Sequence, residues 1–217
     1  MTTTPLAPTR PSIEAAGPWR RTAVAGVLAD AFADDPVFTW IEPDPVALAT
    51  ALPVLFEAFA VAYSRHRAPD LASVLTRPAG AALWVPPGVE PVHPDDAEAL
   101  DHALDVLSPE AQTRTAACLK AFAAVHPHEP AWYLNFLGVR PDHQGRGVGS
   151  ALLRAVLDGC DLRGEPAYLE ATSERNRALY ERHGFRLLRE IPLPDGPTSY
   201  AMGRNPIMPP SWPSPCV

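Results

Sequence analysis

The nineteen residues from Trp132 to Ser150, Trp-Tyr-Leu-Asn-Phe-Leu-Gly-Val-Arg-Pro-Asp-His-Gln-Gly-Arg-Gly-Val-Gly-Ser, restrict the possible folds of this chain more than any other stretch. They open as an aromatic and aliphatic run of strand character and stop at Pro141. A glycine-rich turn then leads into an amphipathic helix whose apolar face is Val148, Ala151, Leu152, Ala155 and Val156. In Gln144-Gly145-Arg146-Gly147-Val148-Gly149, three glycines let the backbone approach a ligand and aim successive amide hydrogens into one hollow. The helix starting there adds the positive end of its dipole, so a pyrophosphate is the natural guest. A tight connection without a ligand is the plain alternative. No Gly-Lys-Ser/Thr follows, which excludes the nucleoside-triphosphate loop. Ser150 stands where a dinucleotide fold needs its third glycine.

At 217 residues and 47% hydrophobic content, the chain is long enough for one domain with a substantial core. Three scattered cysteines, Cys118, Cys160 and Cys216, read as reduced thiols. A formal charge of −7 argues against nucleic acid as a partner. No unbroken apolar run of about eighteen residues exists and the N-terminus lacks a secretion signal, so no membrane span and a cytoplasmic location are expected. Residues 1–18, rich in Pro, Thr and Ala, read as a disordered arm, with residues 9–14 the only source of an early strand. Residues 205–217 read as a Pro-rich tail, leaving 19–204 as the domain.

Helical spacing runs from Arg20 to Phe32, ended by Asp34-Asp35-Pro36. It returns through Leu48, Leu52, Leu55, Phe56, Phe59 and Tyr63, with Pro53 expected to bend or divide that second helix. Residues 71–76 and 81–85 read as a hairpin turning on Arg77-Pro78-Ala79-Gly80. Two more helices are expected over 95–107 and 109–125, the second capped by Ser108. In the motif strand, the spacing of Leu134, Leu137 and Val139 predicts a bulge near Phe136. A strand at 167–171, a helix at 174–183 capped by Thr172 or Ser173, and closing strands at 185–190 and 199–202 complete the expected elements. His126-Pro127-His128 falls short of a zinc site for want of a third ligand, so no metal is expected.

Gln-x-x-Gly-x-Gly after a strand ending Val-x-Pro, followed by Tyr168-Leu169-Glu170-Ala171, Asn176 and Leu179-Tyr180-Glu181-Arg182-His183-Gly184-Phe185, resembles the GNAT superfamily of acetyl-CoA-dependent N-acetyltransferases. Glu129 to Leu134, Val139 to Gly145 and Tyr180-Glu181-Arg182 look most like its puromycin N-acetyltransferase branch. The resemblance implies an α/β (α+β) fold: a mixed, mostly antiparallel central sheet flanked by helices and splayed at an acetyl-CoA cleft. It implies that Gln144, Gly145, Arg146, Gly147, Gly149 and Ser150 receive the pyrophosphate. Leu137 and Val139 would pair with the pantetheine through their main chains, and Asn176 would bond its amide. Tyr180 would be the general acid. The usual glutamate early in the motif strand is missing, so Glu170 is the leading base candidate, with Glu129 and His128 as alternatives through water. Asp34, Phe38, Trp132 and Tyr133 are candidate contacts to the acceptor, with Asp35, Trp40 and Trp84 beside them. Each of these has a plain reading as helix end or core.

The function so implied is direct acetyl transfer from acetyl-CoA to a primary amine of a small molecule, such as a puromycin-like antibiotic. A protein N-terminal or lysine acetyltransferase is the variant within the class. A non-catalytic acyl-CoA-binding regulatory module is the alternative outside it. Monomer and homodimer both stay open.

Overall fold

The computed structural model describes residues 10–207; the expectations for residues 1–9 and 208–217, Cys216 included, lie outside it. Seven strands form one sheet in the order β1-β2-β3-β4-β5-β7-β6. The strands are β1 (Ser12–Ala15), β2 (Asp70–Val74), β3 (Arg77–Val85), β4 (Trp132–Val139), β5 (Ala167–Ala171), β6 (Arg186–Pro192) and β7 (Thr198–Arg204). The helices are α1 (Arg21–Phe32), α2 (Pro36–Ile41), α3 (Pro45–Tyr63), α4 (Pro94–Leu104), α5 (Pro109–Ala123), α6 (Val148–Arg163) and α7 (Glu174–Glu181). Every neighbouring pair of strands is antiparallel except β4 and β5.

That exception creates the cleft. Parallel strands need a crossover, here the glycine turn and α6, and the pairing of β4 with β5 holds only from Trp132–Leu134 to Ala167–Leu169. Beyond Leu134 the strands part, leaving one side of β4 unpaired through Val139.

Two apolar layers cover the sheet. Val148, Leu152, Leu153, Val156, Leu157 and Cys160 of α6 pack against Trp84, Leu134 and Leu169 on one face. On the other, α1 and α3 bury Val24, Leu28, Leu52 and Phe56 over Leu71, Leu83 and Val85. The buried stripe of α6 therefore uses Leu153 and Leu157 rather than Ala155, which is exposed: the larger side chains gain more from burial, and the helix rotates to suit them.

Three expectations change in the folded chain. Residues 12–15 form β1 and pair with Ser73 back to Asp70, so part of the expected arm belongs to the sheet. Pro53 does not divide α3, which runs on from Pro45 to Tyr63. Pro53 and Ala49, whose carbonyl loses its helical donor, both face solvent, where water can replace the missing bond, while Leu52, Leu55 and Phe56 are buried. The β2–β3 hairpin turns on Leu75 and Thr76, both at positive φ (49° and 69°), rather than on residues 77–80. Two consecutive residues at positive φ are what a tight two-residue hairpin demands. Gly80 lies inside β3 because a Cβ there would come 2.8 Å from Val148 Cγ1, so α6 packs directly on its backbone. Separately, α3 is long and apolar enough by length and composition to cross a membrane, with mean hydropathy 1.8, although Thr50 and Glu57 interrupt its apolar run. In the fold its Leu48, Leu52, Phe56, Ala60 and Tyr63 are core against α1 and the sheet.

Between β3 and β4, antiparallel neighbours that a short turn could join, the chain inserts α4 and α5. Capped by Ser108, whose Oγ accepts from Ala111 N at 3.2 Å, α5 packs through Ala111 and Cys118 against α2 and α3. Its Phe122 also reaches the layer of Tyr168, Ile191 and Ala201 on β5–β7. The Arg114 guanidinium donates to Ile41 O at 3.2 Å, and Ser108 N donates to the buried Glu42 at 3.4 Å. The pair is thereby tied across the side of the cleft that α1 and α2 border.

Candidate active site

The motif strand carries the expected bulge. Leu83 faces Phe136 and Trp84 faces Leu134, so Asn135 is the extra residue. It shifts the alternation by one: Trp132, Leu134, Leu137 and Val139 face α6, whereas Tyr133 and Phe136 face α1 and α3. Past the bulge, Arg140 N donates to Ala79 O at 2.9 Å. Antiparallel alternation then turns the main-chain groups of Val139 and Leu137 away from β3, into the cleft. Gln144 Nε2 meets the Val139 carbonyl there at 3.1 Å, while its Oε1 accepts from Arg175 at 2.9 Å.

Below this open edge lies the glycine turn. Gly145 (φ 71°) and Gly147 (φ 81°) are left-handed, and Gly147 is the N-cap of α6 without a side-chain cap. The first bond of the turn into the helix is Ala151 N to Gly147 O at 3.0 Å, so the amides of Val148, Gly149 and Ser150 precede the intrahelical ladder. Gln144 through Gly147 are exposed, and a Cβ at Gly145 or Gly147 would meet nothing within 4 Å. The turn is an accessible row of donors at a helix's positive end, a fit for a phosphate or pyrophosphate. Arg146 stands exposed beside it. The Ser150 hydroxyl is paired with His183 Nε2 at 2.9 Å, and burial, then the charge of Arg154, lowers the His183 pKa so that its ring favours the neutral form.

On the other side of β4 a cavity of about 730 Å³ opens among α1–α3, α5, β4, β5 and α7. Phe32, Phe38, Phe59, Phe122 and Phe136 supply its apolar wall, and Tyr63, Tyr133, Asn135, Glu170, Thr172, Asn176 and Tyr180 its polar groups. Glu170 is the most enclosed acid there, with 3% of its side chain exposed. The Tyr133 hydroxyl donates to its Oε2 at 2.8 Å, while Oε1 is buried without a hydrogen bond. His126 Nδ1 stands 3.7 Å from that oxygen. Asn135 Nδ2 donates to the Tyr63 hydroxyl. Burial first, and the Glu170 charge second, raise the pKa of both Tyr63 and Tyr133, so these phenols stay protonated.

Tyr180, 7% exposed, reaches the cavity from α7, and its pKa is raised by burial and then by the charge of Asp35. Asn176, one turn earlier, donates through Nδ2 to Thr172 Oγ1 at 3.2 Å, and Thr172 donates to Asp35 Oδ2. Asp35 also caps α2, accepting from Val37 N at 2.9 Å and Phe38 N at 3.3 Å. One carboxylate thus ties the start of α2 to the end of β5.

Of the expected acceptor contacts, Phe38 and Tyr133 line the cavity. Two others do not. Asp34 is exposed outside it, because the cap of α2 draws in Asp35 instead. Trp132 lies before the bulge on the α6 face, donating to Glu165 at 2.6 Å under the Arg163 guanidinium. Trp84 is core. Of the alternative bases, Glu129 and His128 are exposed at the cavity's edge. Tyr63, Asn135, Thr172 and His126 enter the site from four separate elements or connections. Only the bulge signal near Phe136 pointed toward any of them.

A splayed β4–β5 pair, an amide-lined turn at its foot and an enclosed acid beside a protonated phenol make up the candidate site. A family model described as Acetyltransferase (GNAT) domain matches residues 111–187. A crystal structure described as histone acetyltransferase HPA2 and related acetyltransferase, from Corynebacterium glutamicum, is 32% identical, with 92% of this chain and 98% of that chain covered at a TM-score of 0.71. An N-alpha-acetyltransferase RimI of Mycobacterium tuberculosis is 39% identical over 74 residues, 32% of this chain and 46% of that protein. An uncharacterized N-acetyltransferase of Schizosaccharomyces pombe is 38% identical over 63 residues, 29% of this chain and 26% of that protein. The chain therefore spans less than half the length of these two curated relatives. It belongs to the GNAT family of acetyl-CoA-dependent N-acetyltransferases.

Proposed function

We propose that the chain moves an acetyl group from acetyl-CoA to the primary amine of a small molecule with an apolar body, a puromycin-like amine being the leading candidate. The observation that carries this reading is Glu170, a buried carboxylate in a cavity walled by phenylalanines and crossed by α5. Because α4 and α5 are inserted on the acceptor side, a folded protein surface has less access than a free small molecule. The aromatic wall favours a ring or branched chain over a polycation.

Acetyl-CoA supplies a thioester carbonyl ready for attack. The amides of residues 145–150 bind its pyrophosphate with Arg146 alongside, the cleft-facing groups of Leu137 and Val139 pair with the pantetheine as an added strand, and Asn176 bonds the arm's amide. Glu170 removes a proton from the incoming ammonium so that nitrogen can form its bond to carbon. When the carbon–sulfur bond breaks, the Tyr180 hydroxyl protonates the departing thiolate, and the phenolate so formed recovers the second proton shed by the new amide nitrogen. One proton per turnover is left on Glu170.

The experiment is thiol release from acetyl-CoA with four acceptors: puromycin, phenethylamine, spermidine and a peptide with N-terminal alanine. Faster turnover of puromycin or phenethylamine is expected. Preference for the peptide would move the assignment to protein acetylation, and acetyl-CoA binding without turnover of any amine would move it to a sensor. Binding is open to a separate test. Gly147→Val forces the turn out of its left-handed conformation, at a cost of about 1–2 kcal/mol. Calorimetric titration should then show acetyl-CoA affinity about tenfold weaker or worse. Unchanged affinity would sink the pyrophosphate assignment.

A further inference from the structure

A base as enclosed as Glu170 needs an exit for its proton. Its Oε2 is engaged by the Tyr133 hydroxyl, a group that burial and the carboxylate's own charge keep protonated. Tyr63 of α3 is held protonated by the same two effects, and the Cys118 thiol of α5 is pushed up to about 12 by burial, then by Glu170 and Asp35. The Tyr168 phenol of β5 is likewise raised, by burial first and Glu170 second. None of the four can accept and release a proton around neutral pH.

His126 differs in kind and in place. Its backbone closes the end of α5, with N donating to Phe122 O at 3.0 Å, and its ring stands edge-on to Tyr133 and Tyr168, with centroids 4.8 and 4.9 Å away. Nδ1 faces the otherwise unpartnered Glu170 Oε1 at 3.7 Å, while 39% of the side chain reaches solvent. Closing that gap to a hydrogen bond takes about 1 Å of ring movement. Imidazole is the side chain suited to exchanging protons in this pH range.

We propose that His126 is the proton exit of this enzyme, relaying to solvent the proton that Glu170 takes from the amine. The inference rests on Glu170 being the base. Neutral imidazole accepts the proton from the Glu170 carboxylic acid at Nδ1, restoring the carboxylate. The imidazolium then loses its other proton from Nε2 to water, and exchange through solvent returns the starting tautomer. His126 acts through Glu170 and not on the substrate, so it is a positioning residue with a proton to pass. The exposed His128 and Glu129 on the same connection can receive that proton beyond it.

The test uses the full chain, acetyl-CoA and whichever of the four amines above is turned over fastest. His126→Ala is expected to lower kcat about tenfold or more with KM for the amine within about twofold. Added imidazole should restore the rate in proportion to its concentration, while equal ionic strength as sodium chloride should not. His126→Gln, which fills the same space, should be as slow and gain nothing from imidazole. Wild-type kcat in His126→Ala, or a slow rate indifferent to imidazole, overturns the relay. If Glu170→Gln keeps wild-type kcat, the base reading fails and the relay with it. A slow Glu170→Gln beside a fully active His126→Ala sinks the relay alone, and no turnover of any of the four amines overturns both.

Discussion

Tyr180→Phe is expected to lower kcat by about 10²- to 10⁴-fold, the range for loss of a positioned acid, and to leave the acetyl-CoA Kd within about twofold. The substitution removes one oxygen from a ring that is 7% exposed and stands edge-on to Phe185 with centroids 5.9 Å apart, so the packing around it survives. What disappears is a proton donor. Burial, reinforced by the charge of Asp35, raises the Tyr180 pKa above that of a free phenol. The hydroxyl therefore stays protonated throughout the neutral and mildly alkaline range, and no fall in activity from its ionisation should appear up to pH 10. Single-turnover measurement with pre-bound acetyl-CoA separates the chemical step from binding. A variant with wild-type kcat would remove Tyr180 from the mechanism.

Glu170→Gln should cost a comparable factor at neutral pH, and its pH dependence is the sharper readout. Without the carboxylate, only amine already neutral in solution can react. The rate of the variant should therefore climb with pH toward the amine's own pKa, while the parent levels off earlier. Glutamine can keep the Tyr133 contact by accepting through its amide oxygen, so the 2.8 Å bond need not be lost. If parent and variant gave parallel profiles, Glu170 would be structural and the exposed Glu129 or His128 would become the next candidates.

Much of the cofactor side was legible because it is local. A left-handed turn needs glycine, a helix start leaves its first amides free, and both follow from residues adjacent along the chain, as at Gly145, Gly147 and Val148. The bulge at Asn135 showed itself as a break in the spacing of Leu134, Leu137 and Val139. The acceptor side followed no such rule. Asp34 and Asp35 are indistinguishable neighbours until the cap of α2 selects one of them. Trp132 and Tyr133 both read as acceptor contacts in sequence, yet adjacent residues of a strand face opposite ways. Pro53 reads in sequence as a bend or division because propensity counts the lost hydrogen bond and not the solvent that replaces it, yet it does not divide α3.

By itself, the order of residues from Trp132 to Phe185 determined the family and the strand–turn–helix that suits a pyrophosphate, since these depend on backbone conformation and short-range periodicity. Only the tertiary structure decided what stands around Glu170: Tyr63 from α3, His126 after α5 and Tyr133 from β4, together with α5 lying across the cavity. The reason is physical. A binding turn is specified by torsion angles along one segment, whereas a buried carboxylate's partners are set by how separate helices pack on a splayed sheet, and that packing joins residues with no fixed separation in sequence.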